Sequence, residues 1–382
     1  MHDESGRFVI DARYATPAPS GIGNYVTALI ERMPALAPAA CFRLWTSPAR
    51  PLPVSAPNVS CVPVPAVADG LRTLLRPSSL DALHADDVLH FPASLLGLGL
   101  PCATVVTMHD LMWLEHPAKV DGRPLSRRAR TGYYQAGMRH ALARATRLIA
   151  VSNATADRIR AFRPDATRRV RVIHNAAEPA FRPPEDLEVA QERARTLIGS
   201  SAPYFVVVGK NEPYKAHHLA LEAFAREAEP DELLVLVQRA RRGTGLARLA
   251  EKLGISAKVR WLPALQQADV VSLLQAARAL LQPSIVEGFG IPVLEAMASG
   301  CPVIASDTPA LVEVLGGAGL LAAVGDRAGL ATAIRKVRDA SLRAELRARG
   351  LDRARAFSWD SAARATLEVY REAATEGEAR RA

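Results

Sequence analysis

The 382-residue sequence is poor in cysteine, aromatic residues and lysine, and it has no long apolar run. Its cysteines, Cys41, Cys61, Cys102 and Cys301, are widely scattered, with no CxxC pair and no metal-ligand spacing. That pattern speaks against a cysteine metal site or a redox motif. Cys102 and Cys301 stand beside apolar segments and are expected to be buried. The histidines are also dispersed; His217 and His218 are adjacent on a helix, so they diverge rather than chelate and are expected at the surface. Aromatics make up 5% of the chain and do not alternate with basic residues, so a base-stacking platform for nucleic acid is not indicated. No stretch is apolar for long enough to span a bilayer, and no basic–apolar–cleavage pattern opens the chain. Both absences favour the cytoplasm, with peripheral contact at the inner face of the membrane left open.

What is present fits a globular protein: 49% apolar and 23% charged residues, with length for two domains of ordinary size. The formal charge is +9, and arginine supplies all but six of the 48 basic side chains. A basic balance suits phosphorylated ligands, anionic acceptors or membrane surfaces as well as nucleic acid. With so few aromatics, a nucleotide-linked small molecule and an anionic or membrane-borne acceptor are the better match.

Apolar strand patterns alternate with helical spacing throughout, which predicts an α/β protein with parallel sheets. Strands are expected at Arg7–Asp11, Arg43–Trp45, Val59–Val64, Asp86–Phe91, Thr104–Thr107, Leu148–Ser152 and Val170–Ala176. In the second half they are expected at Tyr204–Gly209, Leu233–Val237, Val259–Pro263, Leu280–Leu281 and Val303–Ala305. Prolines between Glu178 and Pro184 mark a linker. The expected units are 1–180, 185–356 and a C-terminal helix and tail over 357–382, the tail frayed after Thr375. The paired Asp86 and Asp87 read as a solvated turn rather than a metal site. Ser126 reads as the cap of a long arginine-rich helix.

The most informative stretch runs from Pro283 to Ser306. It reads as strand end, glycine loop, short helix with Pro292 in its first turn, glycine stop at Gly300, and a new strand. Gly288 and Gly290 allow a ligand close to the backbone. The N–H groups from Phe289 onward open a helix, where they can meet hydroxyls or phosphates. Glu287 in the loop and Glu295 on the helix are eight residues apart, and carboxylates accept well from sugar and ribose hydroxyls.

This run resembles the Glu-x7-Glu signature of retaining glycosyltransferases, and its flanks resemble glycosyltransferase family 4, the group 1 glycosyltransferases, which include mannosyltransferases. The resemblance implies a GT-B fold: two Rossmann-like domains with parallel sheets facing across a cleft, an N-terminal acceptor domain, a C-terminal nucleotide-sugar domain, and a last helix crossing back to the first. It implies transfer of a hexose-type sugar from a UDP- or GDP-sugar co-substrate to a hydroxyl acceptor, without a cofactor or metal ion. The acceptor class stays open among a glycan, a lipid-linked glycan and a natural product.

Other positions follow the same family pattern. Gly21-Ile22-Gly23-Asn24-Tyr25, in a loop that begins with Pro17 and Pro19, resembles the family's first loop over the donor diphosphate. His109, in the loop after an apolar strand, is where the family carries a histidine close to the donor sugar; Asp110 would hold that loop. Lys210 and Lys215 flank a turn that opens a helix, and two cations there can neutralise a diphosphate. Lys210 replaces the family's usual arginine, keeping charge but losing the planar fork. Gln238–Gly243 departs from the usual glycines. The implied catalytic set is Glu287, His109, Lys215 and Lys210. The donor set adds Gly21, Ile22, Gly23, Phe289, Gly290, Ile291 and Glu295. Rival readings are another GT-B enzyme, such as a sugar-nucleotide epimerase or phosphorylase-like enzyme, and a non-catalytic basic binding protein.

Overall fold

The structure is a computed structural model and describes residues 6–16, 21–48, 56–77, 81–120, 124–238 and 244–381. The chain divides into two compact units. One comprises Met1–Pro117, Arg123–Asn175 and Ser358–Ala382; the other comprises Ala176–Phe357 with the short segment Ala118–Gly122.

The first unit holds β1 (Arg7–Asp11), β2 (Cys41–Thr46), β3 (Val59–Pro63), β4 (Asp87–Phe91), β5 (Ala103–Met108), β6 (Arg147–Ala150) and β7 (Val170–Val172). They form one parallel sheet in the order β3-β2-β1-β4-β5-β6-β7. Its helices are α1 (Gly21–Leu36), α2 (Leu71–Leu75), α3 (Met112–Glu115), α5 (Pro124–Arg144) and α6 (Asn153–Phe162), while α4 (Pro117–Val120) lies mostly in the short segment assigned to the other unit. The central strands are buried along their whole length, as a parallel sheet covered on both faces requires. The order of strands reverses between β1 and β4, which makes the crevice beyond their C-terminal ends the natural ligand position.

Several local expectations change. α1 begins at Gly21, so Gly21, Ile22 and Gly23 form a first helical turn rather than a loop. Glycine's weak helix propensity hides this in sequence, yet it costs little where the N–H groups have no helical partner. The prolines before it, Pro17 and Pro19, lie outside the described residues. Ser126 lies inside α5, which starts at Pro124, so it is no cap. Asp87 is not a solvated turn residue: it is 2% exposed and accepts from Arg7 Nε at 2.9 Å, Arg43 Nη2 at 2.7 Å and the His84 N–H at 2.7 Å. These donors hold its carboxyl below the ordinary range even against burial.

The last helix of the unit, packed on α1 and β4–β6, follows the second unit in the chain. That unit holds β8 (Tyr204–Val208), β9 (Leu233–Val237), β10 (Val259–Leu262), β11 (Ala279–Gln282), β12 (Val303–Ser306) and β13 (Leu320–Ala322). Its helices are α7 (Leu187–Ile198), α8 (His217–Glu227), α9 (Thr244–Lys252), α10 (Gln267–Ala276), α11 (Ile291–Ala298), α12 (Pro309–Leu315), α13 (Arg327–Lys336) and α14 (Ala340–Ala354). The parallel order β10-β9-β8-β11-β12-β13 reverses between β8 and β11. α8 and α13 close one face over Phe205, Phe224, Leu234 and Ile334.

The closing helix, α15 (Trp359–Arg381), belongs to the first unit and packs on α1, β4, β5 and β6. It is held by a buried polar chain. Tyr370 Oη lies 2.7 Å from His90 Nδ1, His90 Nε2 lies 2.8 Å from Thr107 Oγ1, and Thr107 Oγ1 lies 2.9 Å from Tyr25 Oη. Outside the core, Glu372 accepts from Arg147 and Arg171. The tail is not frayed after Thr375: the helix runs to Arg381, and Glu376 pairs with Arg147. Among the described residues no helix is long and apolar enough to cross a membrane.

Two histidines, His90 and His217, are fully packed. Burial lowers the pKa of His90 to about 3, and that of His217 also to about 3. His217 was expected at the surface, and only its neighbour His218 is exposed. Because both pKa values fall on folding, the unfolded chain binds more protons below the ordinary histidine range, and stability drops as pH falls from about 6.5. Each group adds about 1.4 kcal/mol per pH unit. These two rings alone are expected to make urea unfolding at pH 5 roughly 4 kcal/mol less favourable to the folded state than at pH 7; a flat profile across that interval would contradict the burial of the two neutral rings.

Candidate active site

The site of the second unit lies where its strand order reverses. After β8 the chain passes Gly209 and a 3-10 turn, Pro213–Lys215, and then enters α8 through Ala216. Ala216 has φ +48°, the one non-glycine residue with positive φ among those described. A left-handed alanine costs roughly 1–2 kcal/mol, and here it turns the chain sharply between Lys215 and the helix. The Ile285 N–H donates to the Tyr214 carbonyl at 2.8 Å, tying this turn to the loop after β11.

That tie brings together Lys215 and Glu287, each singled out in the sequence but not as partners. Lys215 Nζ lies 2.7 Å from Glu287 Oε1, with both side chains largely buried. The same oxygen accepts from Gln282 Nε2 at 2.8 Å and from Ser284 Oγ at 2.7 Å. Three donors therefore converge on Oε1, while Oε2 has no partner among the described residues. The carboxylate is fixed in orientation and presents one free oxygen. Removing one member of such a buried pair strands the other, which costs more than the pair contributes.

The helix after the loop is equally constrained. Gly290 has φ +102°, and a Cβ there would stand 2.4 Å from Leu311 Cδ2. Its carbonyl accepts from Val293 and Leu294, and Pro292 has no N–H. Among the described residues, the N–H groups of Gly290 and Ile291 at the start of α11 have no partner. The Phe289 ring is buried and meets Phe357 edge-on at 5.8 Å. Glu295 follows within α11 and is 8% exposed.

Lys210 is not drawn in. It is exposed just after β8 and makes no ion pair among the described residues. Gln238, at the end of β9, is buried and donates from Nε2 to His217 Nδ1 at 3.1 Å. The remainder of that remodelled segment, Arg239–Gly243, lies outside the described residues. Trp261 packs on the apolar core.

In the first unit, His109 follows β5. Its Nε2–H donates to the Pro92 carbonyl at 2.8 Å, which fixes the tautomer and leaves Nδ1 as an acceptor. Tyr25 of α1 meets the ring edge-on at 5.2 Å. Burial lowers its pKa to about 4, so the ring is neutral at pH 7. Asp110 Oδ1 accepts from the Met112 N–H at 2.9 Å and so holds the loop, as expected. Gly21, Ile22 and Gly23 open α1 with first-turn N–H groups.

Gln282, Ser284 and the strained Ala216 were given no role from sequence. Gln282 had one usable signal: it is a polar residue closing an otherwise apolar parallel strand. The bond from Gln238 to His217 had none, since it joins two segments distant in sequence. Gly290→Ala tests the loop directly. It is expected to lower stability by about 2 kcal/mol or more, and in a double-mutant cycle with Leu311→Ala the two losses are expected to be less than additive. A fully stable single variant would contradict the geometry.

Residues 19–181 match the family described as Glycosyltransferase Family 4, and residues 188–355 match Glycosyl transferases group 1. The chain is 30% identical over 334 residues to a D-inositol 3-phosphate glycosyltransferase of a Nocardioides species, covering 80% of this chain and 71% of that protein. WaaG, a glycosyltransferase involved in lipopolysaccharide biosynthesis, superposes with a TM-score of 0.73 at 18% identity, covering 95% of this chain and 99% of that one. HepE of Anabaena, crystallised with UDP-glucose, gives 0.70 at 17% identity, covering 95% and 98%. Both halves of the sequence and both parallel sheets are thereby accounted for, and the chain belongs to the group 1, family 4 glycosyltransferases with the GT-B fold.

Proposed function

We propose that the protein is a retaining, metal-independent hexosyltransferase. It moves a sugar from a UDP- or GDP-linked donor to a hydroxyl of a glycan, lipid-linked glycan or natural product, in the cytoplasm. The observation that carries this reading is the Lys215–Glu287 pair at the strand-order reversal of the second sheet, with one carboxylate oxygen free. The HepE complex with UDP-glucose supports a sugar-nucleotide donor for this fold.

In this reading Lys215, with exposed Lys210 as a second cation, offsets the charge that builds on the departing diphosphate, a task often given to a metal ion. Glu287 Oε2 accepts from a donor-sugar hydroxyl. The N–H groups of Phe289, Gly290 and Ile291 donate to the same sugar, and Glu295 accepts from the nucleotide ribose. In the first unit, His109 Nδ1 and the N–H groups of Gly21, Ile22 and Gly23 are proposed substrate contacts on the family pattern. The acceptor oxygen bonds to the anomeric carbon on the face the leaving group vacates. The anomeric carbon–phosphate oxygen bond breaks, and the acceptor proton passes to that phosphate oxygen. No separate general base is required.

Gln282 and Ser284 act through Glu287 by holding Oε1, so they are positioning residues. Donor hydrolysis, followed by NMR with UDP-glucose and GDP-mannose, tests the assignment. One donor is expected to release sugar with retained configuration. Lys215→Ala and Glu287→Gln are each expected to lower turnover at least about tenfold in folded protein. Gln282→Leu should fall between these and wild type, with Gln282→Asn partly restoring activity. Inverted product, or near-normal turnover in the Lys215 or Glu287 variant, would overturn the reading.

A further inference from the structure

Aromatic side chains gather around one carboxylate at the C-terminal edge of the first sheet, and the proposed donor contacts leave them without a role. β1, β3 and β5 run parallel, so the segments that follow them leave from one edge, the edge that also carries His109. Tyr14 follows β1, Asp69 lies beyond β3, and Trp113 sits in α3 beyond β5. Arg130, Tyr133 and Tyr134 reach the same place from α5. Direct contacts join these segments. The Tyr133 hydroxyl donates to the Asp69 carbonyl, and the Tyr134 hydroxyl donates to Asp69 Oδ2. The Tyr134 and Trp113 rings stack with centroids 4.5 Å apart, and Arg130 lies over the Trp113 ring at 5.8 Å. Tyr14, Asp69, Trp113 and Tyr134 are each half-buried, so each keeps surface that a ligand can reach.

The chemistry of the cluster narrows the ligand. Asp69 Oδ1 has no hydrogen-bond partner among the described residues. Neither has the Tyr14 hydroxyl, which burial and then the nearby carboxylates of Asp11 and Asp69 hold protonated, well above its ordinary range. A carboxylate oxygen accepts from the hydroxyls of a sugar ring, and a phenol both donates and accepts. Aromatic walls with a few placed polar groups are what a partly apolar small ligand needs, and the C–H surface of a pyranose is such a ligand. A phosphate is a poor match. Arg13 is 7% exposed and fully engaged: Nε and Nη2 bond Asp11 at 2.7 and 2.6 Å, and Nη1 bonds the Ala66 carbonyl at 2.6 Å and Thr73 Oγ1 at 3.1 Å. A phosphate seated at the cluster would stand against the Asp69 carboxylate, and like charges at close range oppose binding. A wholly apolar group would cover that carboxylate without giving it a hydrogen bond.

We propose that Tyr14, Asp69, Trp113 and Tyr134 form an acceptor subsite for an uncharged pyranose, which selects a glycan-type acceptor over a phosphorylated polyol or an apolar aglycone. The proposal rests on the transferase reading above, but the two fail separately: donor hydrolysis is followed without acceptor, and acceptor binding is followed without sugar nucleotide.

Saturation-transfer NMR on the full chain tests it. The probes are the methyl α-pyranosides of glucose, mannose and galactose, set beside glucose 6-phosphate and mannose 6-phosphate. At least one methyl glycoside is expected to bind in the millimolar range, at least about tenfold tighter than either phosphate. Asp69→Asn is expected to weaken that binding at least about tenfold with an unchanged melting curve, and Tyr14→Phe about threefold or more. The Tyr14 variant keeps the ring and removes only the hydroxyl, so it decides the matter if the Asp69 variant unfolds. Three outcomes overturn the proposal: no methyl glycoside binds; a sugar phosphate binds as tightly as the glycoside or more tightly; or both variants leave glycoside binding intact, which puts the sugar elsewhere, as at the donor-sugar contacts of the second unit.

Discussion

Glu287 Oε1 receives three hydrogen bonds, and the organisation of the second unit follows from that contact. Lys215 reaches it from the turn after β8, while Gln282 and Ser284 reach it from the end of β11 and the loop beyond. These are the two strands between which the sheet order reverses. The strained Ala216, the Ile285–Tyr214 backbone bond and the clash-limited Gly290 all fix segments that end at this carboxylate. A site held this firmly needs little rearrangement when a ligand arrives, which is how preorganised polar groups contribute most.

The first unit uses buried polarity differently. His90 sits in the middle of a strand whose neighbours are apolar, and its two ring nitrogens join Tyr370 of α15 to Thr107 and Tyr25. The chain of bonds anchors a helix that arrives from the far end of the sequence, so β4, β5, α1 and α15 are locked in one register. His109 is set by the same surroundings, with Tyr25 against its ring edge and the Pro92 carbonyl on its Nε2–H. Burial keeps both rings neutral, so each serves as a directed hydrogen-bonding group rather than as a charge.

Much of the architecture was legible because a parallel sheet writes itself as short, unbroken apolar runs such as Tyr204–Val208 and Leu233–Val237. The Pro283–Ser306 run was legible because it joins turn chemistry, helix start and paired carboxylates in one contiguous segment. What escaped depended on contacts between distant segments. Asp87 looked like a turn residue until Arg7 and Arg43 were seen to neutralise it. His217 looked exposed until Gln238 supplied a buried partner. The start of α1 was obscured by glycines whose low helix propensity matters least in a first turn. Lys210 and Lys215 looked alike in sequence, yet only Lys215 is drawn onto Glu287 by the loop geometry.

The account turns on Lys215 as a cation shared between Glu287 and an incoming diphosphate. Calorimetric titration of UDP and of GDP, without divalent metal, into wild type and Lys215→Ala examines that claim directly. Micromolar binding of one nucleotide, weakened at least about tenfold by the substitution, is the predicted result. Equal affinity in the two proteins, or no binding of either nucleotide to wild type, would contradict it.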